Sequence, residues 1–269
     1  MNRIDRLFKE KSGEILSIYL TAGYPELNDT PTLVKSLAKH GADMIEIGIP
    51  FSDPLADGPV IQQSSQIALS NGMSLKLLFE QLKEIRLKVD IPLVMMGYLN
   101  PVLQMGMENF LENCRSTGID GVIIPDLPPD EYESAYLDLF QSHGIYHILL
   151  VTPHTGVDRI RRIAALSGGF LYLVSDSSTT GSTSLLKKHQ LEYFQRIQKM
   201  DLPLPALIGF GISSQKTFKA ACDSAQGAII GSAFIKALMD EDSGTLDEKV
   251  HGFISKIRVS PVTGAATPQ

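Results

Sequence analysis

Eight short apolar runs, each rich in β-branched residues, alternate with helix-periodic segments along this 269-residue chain, and that alternation constrains the fold more than any other feature. The runs are ILSIYLTA (15–22), ADMIEIGIP (42–50), PLVMMGY (92–98), DGVIIP (120–125), YHILLV (146–151), FLYLVS (170–175), PALIGFG (205–211) and GAIIG (227–231). Near-continuous hydrophobic strands suit a parallel sheet covered on both faces. Helices are read at 32–41, 74–89, 107–118, 131–144, 157–169, 191–200, 214–225 and 247–258, several closing on glycine as helix C-caps do. Eight β/α units with no linker between halves predict the α/β class and one (β/α)8 barrel over residues 1–258. It carries an extra N-terminal helix and a long loop after the second strand. A doubly wound open sheet is the runner-up; the count of eight and a length near the ~250 residues usual for a barrel favour the barrel. The small, polar, proline-containing stretch 259–269 reads as a disordered tail.

Composition narrows the function. The chain is 43% hydrophobic and carries a net charge of -6, which argues against a nucleic-acid partner because phosphate binding needs a basic face. The RIRR stretch (159–162) reads as a solvated helix face. The two cysteines, Cys114 and Cys222, lack CxxC or Cys/His neighbours and read as reduced thiols. The N-terminus has no apolar core of a signal peptide, and no apolar run approaches the ~18 residues of a membrane helix, so the expectation is a soluble cytoplasmic protein. The six histidines show no metal-ligand spacing, and no metal is expected.

The second run poses the chemical question. In IEIGIPFSDPLADG (45–58), Glu46 lies between isoleucines inside a strand. Strand residues alternate faces, so Met44, Glu46 and Gly48 share one side and Ile45, Ile47 and Ile49 the other. With the isoleucines facing the helices, Glu46 points into the barrel near its C-terminal mouth, where active sites of this architecture are built. Desolvation there raises a carboxyl pKa into the range useful for proton transfer near neutrality. A structural glutamate needs a cation, and no strand offers an inward one. Asp57, in PLADGP, reads by itself as an Asp-Gly turn; it gains interest only from sharing the loop that leaves Glu46. At the other end of the chain, Gly209–Ser213 and Gly231–Ala233 follow consecutive late strands, with Thr180-Gly181-Ser182 after the sixth. Such Gly/Ser turns can cradle a phosphate, or simply pack tightly. The residues alone therefore describe a barrel enzyme that acts on a small phosphorylated substrate through Glu46, without naming the substrate.

IEIGIPFSDPLADGPVIQQSSQIAL closely resembles the signature of the tryptophan synthase alpha subunit family. The resemblance continues through YLTAGYP (19–25), MGYLNPVLQMG (96–106), GVIIPDLPPDE (121–131), TGS (180–182), GFGIS (209–213) and GAIIGSAFIK (227–236), to about residue 257. It implies a lyase of tryptophan biosynthesis that cleaves indole-3-glycerol phosphate to indole and glyceraldehyde 3-phosphate. Glu46 and Asp57 match the family's catalytic pair. The resemblance places Tyr19, Met96, Ile123, Val151, Tyr172, Phe210 and Ile229 at the indole pocket, though all seven also suit an ordinary core. It places Thr180, Gly181, Gly211, Gly231 and Ser232 at the phosphate. It further implies an allosteric α2β2 heterotetramer with a beta subunit that holds pyridoxal phosphate, faced by Asp53, Pro54 and Asn100, and no cofactor in this chain.

One segment departs from the family. Where R-x-G-V-T-G is usual after the sixth strand, this chain reads Asp176-Ser177-Ser178-Thr179-Thr180-Gly181. Aspartate for arginine removes a bidentate donor, and serine for glycine restricts the backbone. The expectation is weaker closure of the lid over the substrate and slower cleavage. The alternative function that follows is a weakly catalytic or non-catalytic alpha subunit whose main role is to activate its partner.

Overall fold

A computed structural model describes residues 1–175, 188–209, 211–239 and 244–258. Its strands are β1 (Ile15–Thr21), β2 (Met44–Gly48), β3 (Leu93–Met96), β4 (Gly121–Ile123), β5 (Tyr146–His147), β6 (Leu150–Val151), β7 (Leu171–Val174), β8 (Ala206–Gly209) and β9 (Gly227–Ile230). All pairings are parallel, in the order β5-β4-β3-β2-β1-β9-β8-β7-β6. The two ends of that order are successive pieces of one run. Between them the Ile148 amide donates to the Val122 carbonyl at 2.9 Å, and the Tyr172 amide to the Leu149 carbonyl at 3.1 Å. The ring is therefore closed, and nine strands fill the eight positions of a barrel. The expected fifth run, 146–151, divides because its first half bonds β4 and its second half bonds β7.

Two apolar layers follow from the strand alternation. Ile15, Met44, Val94, Ile123, Ile148, Leu207 and Ile229 fill the interior, while Ile45, Ile47 and Ile49 pack outward against the helices. The helix Arg3–Glu10 closes the N-terminal end of the barrel. Its Ile4 is fully buried in the interior cluster, and Leu7 and Phe8 pack beside it. Arg3 anchors it by donating to buried Asp120 at 3.0 Å.

Helix boundaries differ from the sequence reading where tertiary bonds intervene. The long helix expected over 74–89 ends as Leu75–Leu82, followed by a 3-10 turn Ile85–Leu87. Arg86 turns inward there, to the carbonyls of Gly118 (2.8 Å) and Ile91 (2.7 Å) and to Asp120. These distant acceptors outweigh the regular helical register. The loop after β2 carries the helix Pro59–Ser70, and a short helix Leu99–Met105, not expected from the pattern, follows β3. The segment 131–144 is helical with a π-turn at Tyr132–Tyr136. The lid segment containing Asp176, Ser178, Thr180 and Gly181, together with Phe210 and the tail 259–269, lies outside the described residues. Among the described residues no helix is long and apolar enough to cross a membrane.

Candidate active site

Glu46 occupies the middle of β2 and is 0% exposed. Its Oε1 accepts a hydrogen bond from the Ser17 hydroxyl of β1 at 3.1 Å. Its Oε2 is buried and has no partner among the described residues. Burial among apolar walls pushes the carboxyl up to about 8, and the Ser17 bond pulls part of the way back. At neutral pH the group is thus mostly protonated yet can release its proton, as a general acid–base catalyst must.

Asp57 sits in the loop that leaves β2. Its Oδ2 accepts from the Tyr98 hydroxyl at 3.0 Å, and the same phenol oxygen accepts from the Ala56 amide at 3.0 Å. Phe51 stacks on Tyr98 with ring centroids 5.0 Å apart, and Gln62 ties down the loop by donating to the Asp57 carbonyl at 2.9 Å. Burial raises the Asp57 carboxyl and the Tyr98 bond opposes that rise. Asp57 is therefore held in place, whereas Glu46 is held by one oxygen only. The plain turn reading of Asp57 leaves out this phenol clamp, which closes across 41 residues of sequence.

Two tyrosines share the barrel mouth. A Cβ on Gly48 would lie 2.0 Å from the Tyr19 hydroxyl, and one on Gly209 would lie 2.2 Å from that of Tyr172. Each strand glycine is thus the space in which a phenol lies flat. Burial and, after it, the charge of Asp57 raise the Tyr19 phenol; burial, Glu46 and Asp57 raise that of Tyr172. Both remain neutral donors. Tyr19, Phe51, Asp57, Met96, Tyr98 and Pro125 line a narrow cleft at this mouth. A larger groove lies at the opposite end of the barrel, beside Arg6 and Asp90. Its main charges pair with one another, Arg6 with Asp90 at 2.8 Å, and it holds no orphaned buried acid.

The remaining expected residues divide. Ile123, Tyr172 and Ile229 belong to the interior cluster, with Met96 half-buried against it. Val151 does not, because it is paired with Leu173 and packs in the outer layer; Leu150, paired with Tyr172, takes the inward place. Gly211, at φ 76°, follows β8, and Gly231 and Ser232 open the helix Ser232–Leu238 after β9. On the rim, Asp53 and Asn100 are exposed but Pro54 is buried; the loop tip instead presents Leu55, 93% exposed. Sequence reasoning missed Tyr98 and Ser17. Tyr98 lay inside the quoted MGYLN stretch, and Ser17 was legible as the one polar residue at an inward position of ILSIYL.

Comparison with known proteins places this arrangement. Residues 6–260 match the family model described as tryptophan synthase alpha chain. The chain is similar to the tryptophan synthase alpha chain of Flavobacterium psychrophilum, 54% identical over 96% of this chain and 100% of the relative. It is similar to that of Bacteroides thetaiotaomicron, 52% identical over 90% and 94%. Among solved structures, the alpha chain from Legionella pneumophila superposes with a TM-score of 0.87 at 32% identity, covering 96% of this chain and 97% of the other.

Proposed function

The chain belongs to the tryptophan synthase alpha chain family, a component of tryptophan biosynthesis, and from that premise we propose that it is a carbon–carbon lyase cleaving indole-3-glycerol phosphate to indole and glyceraldehyde 3-phosphate. The observation that carries this reading is Glu46 Oε2, a buried carboxyl oxygen with no partner among the described residues, at the mouth of an apolar barrel.

Protonated Glu46 gives its proton to C3 of the indole ring. The ring becomes cationic, and the Asp57 carboxylate, held by Tyr98, stabilises the charge at the ring N–H. The Glu46 carboxylate then takes the proton of the side-chain hydroxyl. That oxygen becomes the aldehyde carbonyl, the C–C bond breaks, and its electron pair restores the aromatic ring. Glu46 ends protonated, as it began. Tyr19, Met96, Ile123, Tyr172 and Ile229 suit the apolar indole. Phe210, assigned by family resemblance, joins that indole pocket, and Gly211, Gly231 and Ser232, with Thr180 and Gly181 assigned by the same resemblance, complete the phosphate end. The exposed rim of Asp53, Leu55 and Asn100 suits a beta subunit that carries pyridoxal phosphate in an α2β2 complex.

The test is single-turnover and steady-state cleavage by the full chain with its beta partner. Glu46→Gln should abolish cleavage and Asp57→Asn should slow it by about a hundredfold or more. Turnover by Glu46→Gln equal to that of the parent would overturn the assignment. A purely regulatory role is not favoured, because it assigns no task to the orphaned Glu46 oxygen. Slower cleavage remains the proposed consequence of Asp176 and Ser178: in the same assay Asp176→Arg with Ser178→Gly should raise turnover, and an unchanged rate rejects that account.

A further inference from the structure

Ser17 is a polar residue in an apolar layer. Met44 and Ile229 are aligned with it on the neighbouring strands, Ile15 lies below it and Val94 above, all in the interior cluster, and Ser17 itself is 0% exposed. A hydroxyl buried without a partner costs free energy, so its bond needs a specific acceptor. That acceptor is Glu46 Oε1, at 3.1 Å, contributed by the neighbouring strand. In the β1–β2 register Ser17 is aligned with Met44, one inward layer below Glu46. The hydroxyl therefore grips the carboxyl from beneath and leaves the other oxygen, Oε2, without a bond among the described residues.

We propose that Ser17 is a positioning residue for Glu46: its hydroxyl anchors Oε1, fixes the plane of the carboxyl, and makes Oε2 the oxygen that carries the proton. The terminal torsion of a glutamate is broad and nearly two-fold, so an unanchored carboxyl exchanges its two oxygens freely. Held from below, it presents the same oxygen to C3 of the ring and to the hydroxyl in turn. The inference rests on the reading of Glu46 as the acid–base group.

The bond also acts on protonation. The titratable groups facing Glu46 are Tyr19 from β1 and Tyr172 from β7, both of which also feel Asp57 of the loop after β2. None of these can stabilise a carboxylate by its charge. Donation from Ser17 is what favours the ionised form. Removing the donor should therefore raise the basic limb of the pH–rate profile, because Glu46 then keeps its proton to higher pH.

The experiment compares kcat and kcat/KM from pH 5.5 to 10 for the parent, Ser17→Ala, Ser17→Thr and Glu46→Gln, with thermal unfolding of each. Ser17→Ala is expected to move the basic limb up by about one pH unit and to lower kcat by about tenfold. Ser17→Thr, which keeps the hydroxyl, is expected to restore both. If Ser17→Ala does not fold, Ser17→Cys, a weaker donor of similar size, must move the limb in the same direction. Ser17→Ala or Ser17→Cys with the parental profile, while Glu46→Gln is inactive, overturns the role of Ser17 and leaves Glu46 in place. An active Glu46→Gln overturns the reading beneath both.

Discussion

Replacing Glu46 by glutamine should make the protein more stable, and by an amount that depends on pH. The ordinary carboxyl value is 4.5, and in the folded barrel burial lifts it to about 8. Below pH 4.5 the carboxyl is neutral whether the chain is folded or not, and the group imposes no penalty. Between 4.5 and about 8 the unfolded chain ionises and the folded one does not, so stability falls as pH rises; above 8 the loss is complete. Each pH unit in that window costs about 1.4 kcal/mol, which makes the penalty roughly 3 kcal/mol at pH 7 and somewhat under 5 kcal/mol at pH 9. The side chain is fully buried, so solvent screening does not reduce the figure. Glutamine is neutral throughout and close in shape. Urea unfolding at pH 5, 7 and 9 should show Glu46→Gln gaining roughly 1 kcal/mol or less at pH 5 and several kcal/mol at pH 9. A difference between the two proteins that is the same at all three values would refute the argument that Glu46 is held neutral by burial. Such a gain is the cost of keeping a proton-transfer group in a buried site, and it parallels the expected loss of activity.

His147 should set the acid limit of the fold. Both its ring nitrogens are buried with no partner among the described residues, its ring lies against Tyr132 (4.3 Å) and Phe140 (5.3 Å), and burial pushes its pKa down to about 3. Stability from the neutral ring is present above the ordinary value of 6.5 and is lost as pH falls from there toward 3. His147→Phe should therefore gain roughly 2–3 kcal/mol at pH 4.5 in urea unfolding and little at pH 7.5; equal gains at both would refute it. Tyr98→Phe removes the bond that opposes the burial-driven rise of the Asp57 carboxyl, so the acid limb of the cleavage profile should move upward and turnover should fall by about tenfold at pH 6. An unmoved acid limb would separate Tyr98 from the chemistry.

The inward aim of Glu46 was legible because a strand has period two. Three isoleucines on one face of MIEIGI require an apolar environment, and the helices supply it. The eight-fold alternation was legible for the same reason, since each run records locally which of its sides is kept from water. Glycines after the late strands were legible as turns able to cradle a phosphate, and family likeness named the individual positions. Less could be read of side chains whose partners are distant in sequence. Ser17 reaches Glu46 across 29 residues, Tyr98 reaches Asp57 across 41, and Arg3 reaches Asp120 across 117. Val151 was assigned to the pocket from likeness alone, and the pairing of β6 with β7 puts it in the outer layer.

The sequence by itself determined the layers of this protein, the place of its acid in a buried strand, and the family to which its signature belongs. Only the tertiary structure decided which oxygen of Glu46 is held and which is free, what clamps Asp57, where the fifth run divides to close the ring, and how the N-terminal helix seals the floor. The physical reason is that hydrophobic periodicity is a property of each segment, whereas a hydrogen bond between neighbouring strands exists only once the closure and register of the barrel bring its two ends within about 3 Å.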